Sequence, residues 1–223
     1  MSSFVSEPIA LGGHAGAGAP VCAAVSQAAA GRPVIVAGTE GREANLVVAA
    51  ELITSESVAF MVRHTSGFLC VALPSADCDR LGLPPMWPLC AGPGRAAFTV
   101  TVDAAVGIGT GISASDRART IRLLGRPDTI AADLVRPGHV VPCLVAEGGV
   151  LARPGAAESA SDLARVAGLR PVAVYGAVVS ERHRGQLADG AELAEFAARH
   201  RLAMISTGQL TGHCRALLGA SVA

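Results

Sequence analysis

Apolar segments alternate with glycine- and proline-containing breaks along the whole chain, which predicts interleaved strands and helices. Short runs rich in valine and isoleucine predict buried strands, whereas apolar residues spaced three or four apart predict helices. The predicted strands cover 34–36, 46–50, 68–73, 98–102, 140–145, 172–179 and 203–206. The predicted helices cover 20–30, 55–63, 113–124, 158–167, 192–201 and a segment from about 207. This interleaving predicts a layered α/β or α+β domain.

Two segments fall outside this regular pattern. Residues 1–18 are rich in glycine and alanine and predict a loose N-terminal arm, which leaves one domain over 19–223. The chain of 223 residues is of a length that suits one large domain. Residues 82–96 combine several prolines and glycines and predict a long irregular loop, a kind of segment that often carries function.

The composition favours a well-packed domain and argues against several classes of partner. Hydrophobic residues make up 51% of the chain and charged residues 16%, so a full core can be buried. Lys plus Arg and Asp plus Glu number 18 each, without a block of like charge, which argues against binding to nucleic acid. We find no signal peptide and no apolar stretch that could span a membrane, so we expect a cytoplasmic protein.

All the basic side chains apart from histidine are arginine, because the chain contains no lysine. This excludes a lysine Schiff base and a phosphate-loop lysine. It favours two-pronged recognition of carboxylate or phosphate, although genome base composition explains the same bias. The six cysteines show no CxxC spacing, so neither a zinc cage nor a disulfide framework is indicated.

Residues 109–117 form a glycine-rich turn that leads into a predicted helix, and Thr110, Ser113, Asp116 and Arg117 lie within it. Backbone N–H groups and hydroxyls in such a turn could hold a phosphate group. An ordinary capped helix explains the same residues equally well.

Other residues could carry chemistry, each with a plainer explanation. Arg136 and His139 lie in a proline-containing turn before a strand, where a histidine could act as a general acid or base, although a lone histidine is more often structural. Arg42 and Glu43 follow the end of a strand, where ligands of α/β sheets gather, or they form a solvated surface pair. Cys70 lies in an apolar strand, where a cysteine is usually inert.

Seven segments of the chain follow one another in a recognisable order, namely 64–70, 83–86, 98–103, 109–117, 136–139, 148–151 and 162–168. Together they resemble the successive signatures of the 3,4-dihydroxy-2-butanone 4-phosphate synthase family. The resemblance covers roughly residues 20–212 and implies a single domain with a mixed sheet and surrounding helices. It also implies a homodimer with active sites at the subunit interface. The family reaction converts ribulose 5-phosphate to dihydroxybutanone phosphate and formate with Mg²⁺, by proton shuttling and enediolate stabilisation.

Carried over position by position, the resemblance makes His139 the essential histidine and Arg153 a substrate-binding arginine. Arg42 and Glu43 match the first two positions of the family's acidic loop, which is here two residues short and lacks its later acids. Three alanines replace functional side chains. They are Ala156 at a magnesium-binding histidine, Ala157 at a threonine, and Ala177 at an essential glutamate.

These replacements lead us to expect a diverged enzyme that acts without magnesium on a small anionic substrate in specialised metabolism. Lyase, isomerase or cyclase chemistry would suit His139, Glu43 and Cys70 as catalytic groups. The expected substrate-binding residues are Arg42, Arg153, Arg136, Thr110, Ser113, Asp116 and Arg117. No cofactor is expected, with Mg²⁺ at Glu43 only if the family activity is retained. The alternatives are the authentic riboflavin-pathway synthase and a non-catalytic scaffold that pairs with an active homologue.

Overall fold

A computed structural model describes residues 18–38, 43–87 and 97–220 of the chain. The predicted arm over 1–18 lies outside this range apart from Gly18, and so does the predicted loop over 82–96 beyond residue 87. Within the described ranges, no helix is both long and apolar enough to cross a lipid bilayer.

One mixed sheet forms the centre of the domain. Its strands are β1 Val34–Ala37, β2 Ala44–Ala49, β3 Cys70–Leu73, β4 Ala97–Phe98, β5 Val102–Ala104, β6 Leu134–Leu144, β7 Ala173–Ala177 and β8 Met204–Ser206. Their order across the sheet is β4-β6-β3-β7-β2-β1-β8, with β5 paired to β6. The β3–β6 and β1–β8 pairs are parallel, and the other pairs are antiparallel.

Seven described helices surround the sheet. They are α1 Ala19–Ala29, α2 Ser55–His64, α3 Ser75–Arg80, α4 Ala114–Gly125, α5 Ala156–Val166, α6 Gly190–His200 and α7 Thr207–Ala220. Side-chain caps fix several of their starts. The Thr54 and Ser57 side chains cap α2 reciprocally, and the Ser113 side chain accepts the Asp116 N–H at the start of α4, as its sequence predicts. Helix α3 was not predicted, because six residues are too few to show helical periodicity.

The helices form one layer on each face of the sheet. Helices α2, α4 and α6 pack on one face, where Met61, Ile121 and Phe196 are buried against the strands. Helices α1, α5 and α7 pack on the other face, with Ala24 and Leu163 in that core. Because both faces are covered, β2 is buried at every position and reads as a continuous apolar run interrupted by one asparagine. The predicted layered domain with a mixed sheet and surrounding helices is confirmed.

The largest difference from the predicted elements lies in β6. Residues 136–139 were predicted to form a turn, but β6 begins at Leu134 and runs through them, pairing with β5. Gly138 permits this pairing, because a Cβ there would overlap the backbone of Val102 and Asp103. The strand predicted over 98–102 is in turn divided into β4 and β5, with a register shift between Val102 and Asp103.

Candidate active site

A cavity of about 1090 Å³ lies between the sheet and the N-terminal ends of α5 and α7. It is on the face of the sheet that α1, α5 and α7 cover. The sheet contributes a floor of five side chains from four neighbouring strands, namely Val36, Asn45, Cys70, Tyr175 and Ala177. The α5 end contributes residues 153–158, and Thr207 contributes from the start of α7.

Strand register explains why these floor residues meet. Asn45 pairs with Val36 on one side and with Ala177 on the other, so the three form one row across the sheet. Tyr175 pairs with Cys70 in the next row. Because side chains alternate between the two faces of a strand, residues two apart share a face, and both rows point into the cavity.

Two charged groups of the predicted site lie in this cavity, Glu43 and Arg153. Glu43 is exposed immediately before β2. The Arg153 side chain is half-buried, and its Nε donates to Oε1 of Glu158 at 2.7 Å while Nη2 donates to the Leu144 carbonyl at 3.1 Å. Glu158 is buried and also accepts the Ala146 N–H at 2.9 Å. Glu158 therefore orients the Arg153 guanidinium, and its carboxylate is engaged by Arg153 and by the Ala146 N–H.

The three alanines noted in the sequence also line the cavity. Ala156 and Ala157 form the first turn of α5, and Ala177 ends β7 beside Asn45. In the part of the chain that the structure describes, no group of three His, Cys, Asp or Glu side chains could hold a metal ion. Mg²⁺ often binds proteins through one or two carboxylates, with water and substrate oxygens completing its shell. Glu43 fits that limited role.

Cys70, predicted as a catalytic group, lies in the cavity floor as a buried thiol. The Cys70 thiol is hydrogen-bonded to the Tyr175 hydroxyl, and the same hydroxyl is hydrogen-bonded to the Cys143 thiol. Burial in this apolar face raises the pKa of Cys70 to about 12. The side chain is therefore a neutral thiol near neutral pH, and a nucleophilic role would need the thiolate.

His139 lies outside the cavity lining, next to the register shift between β5 and β6. Its Nδ1 is 2.6 Å from Oδ2 of Asp103, and its backbone N–H donates to Oδ1 at 3.0 Å. Asp103 is 4% exposed, whereas the His139 side chain is 41% exposed. A buried carboxylate thus fixes an accessible imidazole and favours a proton on Nδ1, leaving Nε2 able to exchange protons.

The glycine-rich turn at 109–117 stands beside this pair. Oδ2 of Asp116 accepts the N–H groups of Gly109 and Gly111, at 3.2 and 3.1 Å, and so closes the turn. Gly111 has a φ of +88°, and a Cβ there would overlap the Asp103 carboxylate. Asp116 and the helix cap Ser113 therefore shape the turn, while Thr110 is exposed within it.

Two predicted substrate-binding arginines have structural partners instead. Arg136 donates to three backbone carbonyls, those of Ala131, Leu134 and Leu81, so its guanidinium ties β6 to the neighbouring loops. Arg117 is buried and donates to the Gly67 carbonyl at 3.2 Å. Gly67 lies in the chain between Ser66 and Phe68, which both line the cavity. The structure gives neither guanidinium a place in the cavity lining. Arg42 lies outside the described residues.

Three residues of the site region were not singled out from the sequence: Asp103, Asn45 and Tyr175. Each is a polar residue inside an otherwise apolar strand, and a buried polar group needs a partner or a ligand. That signal was available in the sequence. Their partners were not, because they depend on which strands become neighbours.

Comparisons with known proteins identify the family of the chain. Residues 22–213 match the family described as 3,4-dihydroxy-2-butanone 4-phosphate synthase. The riboflavin biosynthesis protein RibBA of Rhodococcus jostii is 56% identical over 189 residues, which is 84% of this chain and 45% of that protein. RibBA of Mycobacterium avium is 54% identical over 84% of this chain and 44% of that protein. The chain therefore spans less than half the length of these relatives.

Solved structures show the same fold. A crystal structure of 3,4-dihydroxy-2-butanone 4-phosphate synthase in complex with two magnesium ions is 37% identical, with a TM-score of 0.83, and the alignment covers 88% of this chain and 96% of that one. The Candida albicans synthase is 36% identical, with a TM-score of 0.81, covering 87% and 97%.

These comparisons contradict the expectation of a repurposed, magnesium-independent enzyme of specialised metabolism. An identity of 56% over most of the chain is higher than we would expect of an enzyme with a changed reaction. It favours the alternative of an authentic synthase. The expectation gave too much weight to three alanine positions and a shortened acidic loop, and too little to the rest of the chain. The chain belongs to the 3,4-dihydroxy-2-butanone 4-phosphate synthase family.

Proposed function

We propose that this chain converts ribulose 5-phosphate to 3,4-dihydroxy-2-butanone 4-phosphate and formate, the synthase step of riboflavin biosynthesis. The observation that carries the proposal is the 56% identity to a riboflavin biosynthesis protein over 84% of this chain, together with a family match over residues 22–213, which include the described residues that line the cavity. Because the relatives are more than twice as long as the matched region, no other activity of theirs is assigned to this chain.

The reaction requires three things of a site, and described residues offer the first two. A phosphate group needs a cation, and Arg153 presents an oriented guanidinium in the cavity. Enolisation needs a group that removes and returns protons, and the His139–Asp103 pair suits that task. Negative charge that develops on the substrate oxygens needs electrostatic stabilisation.

Magnesium would supply that stabilisation. Among the described residues of the cavity, Glu43 is the side chain that would hold the ion, because Glu158 is engaged with Arg153. With one protein carboxylate, most of the ion's shell would come from water and from the substrate. Glu43 is placed for this because β2 begins directly after it, at the end of the cavity floor.

We further propose that the active unit is a homodimer. His139 is exposed but does not line the cavity of its own chain, so a second copy that brings its His139 to this cavity would complete the site. Large apolar side chains exposed near the cavity support such an interface. Phe68 lines the cavity and contacts Phe98, and Met86 and Trp87 are also exposed beside Phe98.

Formate release from ribulose 5-phosphate in the presence of Mg²⁺ tests the proposed reaction directly. We expect steady formate production by the purified chain. We also expect a loss of about 100-fold or more for His139→Ala, which removes the proton-transfer group. His183→Ala is the matched control, since His183 is an exposed histidine in the turn after β7. A wild-type chain that releases no formate would overturn the proposal.

A further inference from the structure

Asn45 combines deep burial with an unused side-chain amide. It is 4% exposed, yet it lines the cavity. Among the described residues, no hydrogen bond reaches its carboxamide, and the carboxamide is not one of the fully enclosed polar groups without a partner, which are the Nε atoms of Arg117 and Arg170. The carboxamide is therefore open to the cavity, where it can form hydrogen bonds with a bound ligand.

The register of the sheet fixes where this amide points. Ala44 and Leu46 belong to the core on the opposite face of β2, so the side chain of Asn45 must point to the cavity face. Its neighbours in the same row are Val36 and Ala177, neither of which carries a polar side-chain atom. The amide is therefore the polar group of an otherwise apolar row.

The adjacent row adds one hydroxyl. Tyr175 is 6% exposed and lies diagonally from Asn45, since its direct partner on β2 is Val47. Its hydroxyl contacts the thiols of Cys70 and Cys143, and thiols are weak hydrogen-bond partners. Asn45 and Tyr175 thus form an uncharged polar floor, while the charged groups Glu43 and Arg153 lie at other parts of the wall.

We propose that Asn45 is a substrate-binding residue that recognises a hydroxyl or ketone oxygen of a small sugar phosphate, with Tyr175 beside it. A carboxamide offers two donors and one acceptor, which suits neutral polar groups and gives no attraction to the phosphate itself. Arg153 would then hold the phosphate, and the sheet floor would read the uncharged end of the molecule. This inference rests on the proposed function for the identity of the sugar phosphate.

Calorimetric binding of two probes, ribulose 5-phosphate and inorganic phosphate, tests the inference without turnover when Mg²⁺ is removed with a chelator. We expect Asn45→Leu and Asn45→Ala to weaken ribulose 5-phosphate binding by about 3- to 10-fold, the effect of losing one or two neutral hydrogen bonds. Binding of inorganic phosphate should stay unchanged. Asn45→Leu keeps the branched side-chain shape and the number of heavy atoms, whereas Asn45→Ala removes both, so comparing the two variants separates loss of the amide from loss of packing.

Val48→Ala is the control for stability. Val48 is buried on the opposite face of β2, so shortening it should lower the melting temperature and leave both affinities unchanged. If the Asn45 variants bind ribulose 5-phosphate as tightly as the wild type, the inference is overturned, even where formate is produced. If they bind it more weakly but the wild type releases no formate, the sugar-phosphate contact stands and the proposed reaction fails.

Discussion

Replacing Asp103 by Asn tests whether the buried carboxylate sets the chemistry of His139. The carboxylate accepts two hydrogen bonds from the same residue, at 2.6 Å from the ring Nδ1 and at 3.0 Å from the backbone N–H. Asparagine keeps the shape but has only one oxygen. If that oxygen stays with the backbone N–H, the new NH₂ group faces Nδ1.

The expected loss of activity follows from the His139 tautomer that aspartate or asparagine at position 103 favours. A carboxylate holds the proton on Nδ1, whereas an NH₂ donor requires Nδ1 to accept and moves the proton to Nε2. The nitrogen that should take up a substrate proton is then already protonated. General acid–base catalysis contributes about 10²–10⁴-fold, so we expect kcat/KM for Asp103→Asn to fall by at least about 100-fold, or about 2.7 kcal/mol.

Formate release measures the rate, and thermal unfolding of the same samples measures stability. The buried hydrogen bond to an ionised group contributes about 1.5–3 kcal/mol, so assays must be run well below the lowered melting temperature. Asp133→Asn is the matched control, because the Asp133 carboxylate accepts the Ile130 N–H at 2.8 Å and forms no hydrogen bond with His139 among the described residues. A folded Asp103→Asn variant with a rate within a few-fold of the wild type would refute the reasoning.

Three further predictions concern assembly, thiols and pH. If each site uses His139 from a second copy, mixing equal amounts of inactive Glu43→Gln and His139→Ala chains should restore about a quarter of wild-type formate release, because half of all dimers are then mixed and each mixed dimer carries one intact site of two. In a Cys90→Ser background, a thiol reagent near neutral pH should modify exposed Cys22 and leave Cys70 intact, since burial raises the pKa of Cys70 to about 12. Burial, and then the neighbouring His200, lowers the pKa of His64, so the melting temperature should fall as pH drops through about 6.5, and His64→Gln should reduce this dependence.

Each of these has an outcome that contradicts it. No recovery of activity on mixing, with dimers demonstrated, would place His139 and Glu43 of one chain in one site. Rapid labelling of Cys70, located by mass spectrometry, would show that the cavity floor opens. An unchanged pH dependence in His64→Gln would assign the effect to other groups, and His183→Gln serves as the exposed control.

The layers of the fold could be predicted from the sequence, but the contacts between segments could not. Buried strands such as β1 and β2 are short runs of β-branched and small apolar residues, and covering both faces explains why they show no alternation. Residues 136–139 were misjudged because proline and glycine usually end a strand. Here Gly138 allows β5 to approach so closely that no side chain would fit, and this approach is a property of two segments together.

Some residues of the predicted site line the cavity, whereas others have partners that the sequence could not reveal. Glu43, Cys70 and Arg153 do meet in one cavity, because ends of neighbouring strands and helices converge there. The guanidinium of Arg136, by contrast, is taken up by backbone carbonyls that come from two other segments. A motif shows that a residue type is present, but not whether its hydrogen-bonding capacity is left for a ligand. Only the packed structure determines that.

The position of His139 links the proposed reaction to the proposed assembly. The Asp103 carboxylate that orients it comes from β5, on the side of β6 away from the cavity floor, so one chain alone cannot easily bring its Nε2 over its own floor. Within one chain the two regions are also joined by Arg117, which donates from α4 to the Gly67 carbonyl at 3.2 Å, between the cavity residues Ser66 and Phe68. In the proposed dimer, a second copy docked against this edge brings its own imidazole to the cavity. Precise placement matters because proton transfer requires hydrogen-bond distance between the imidazole and the substrate.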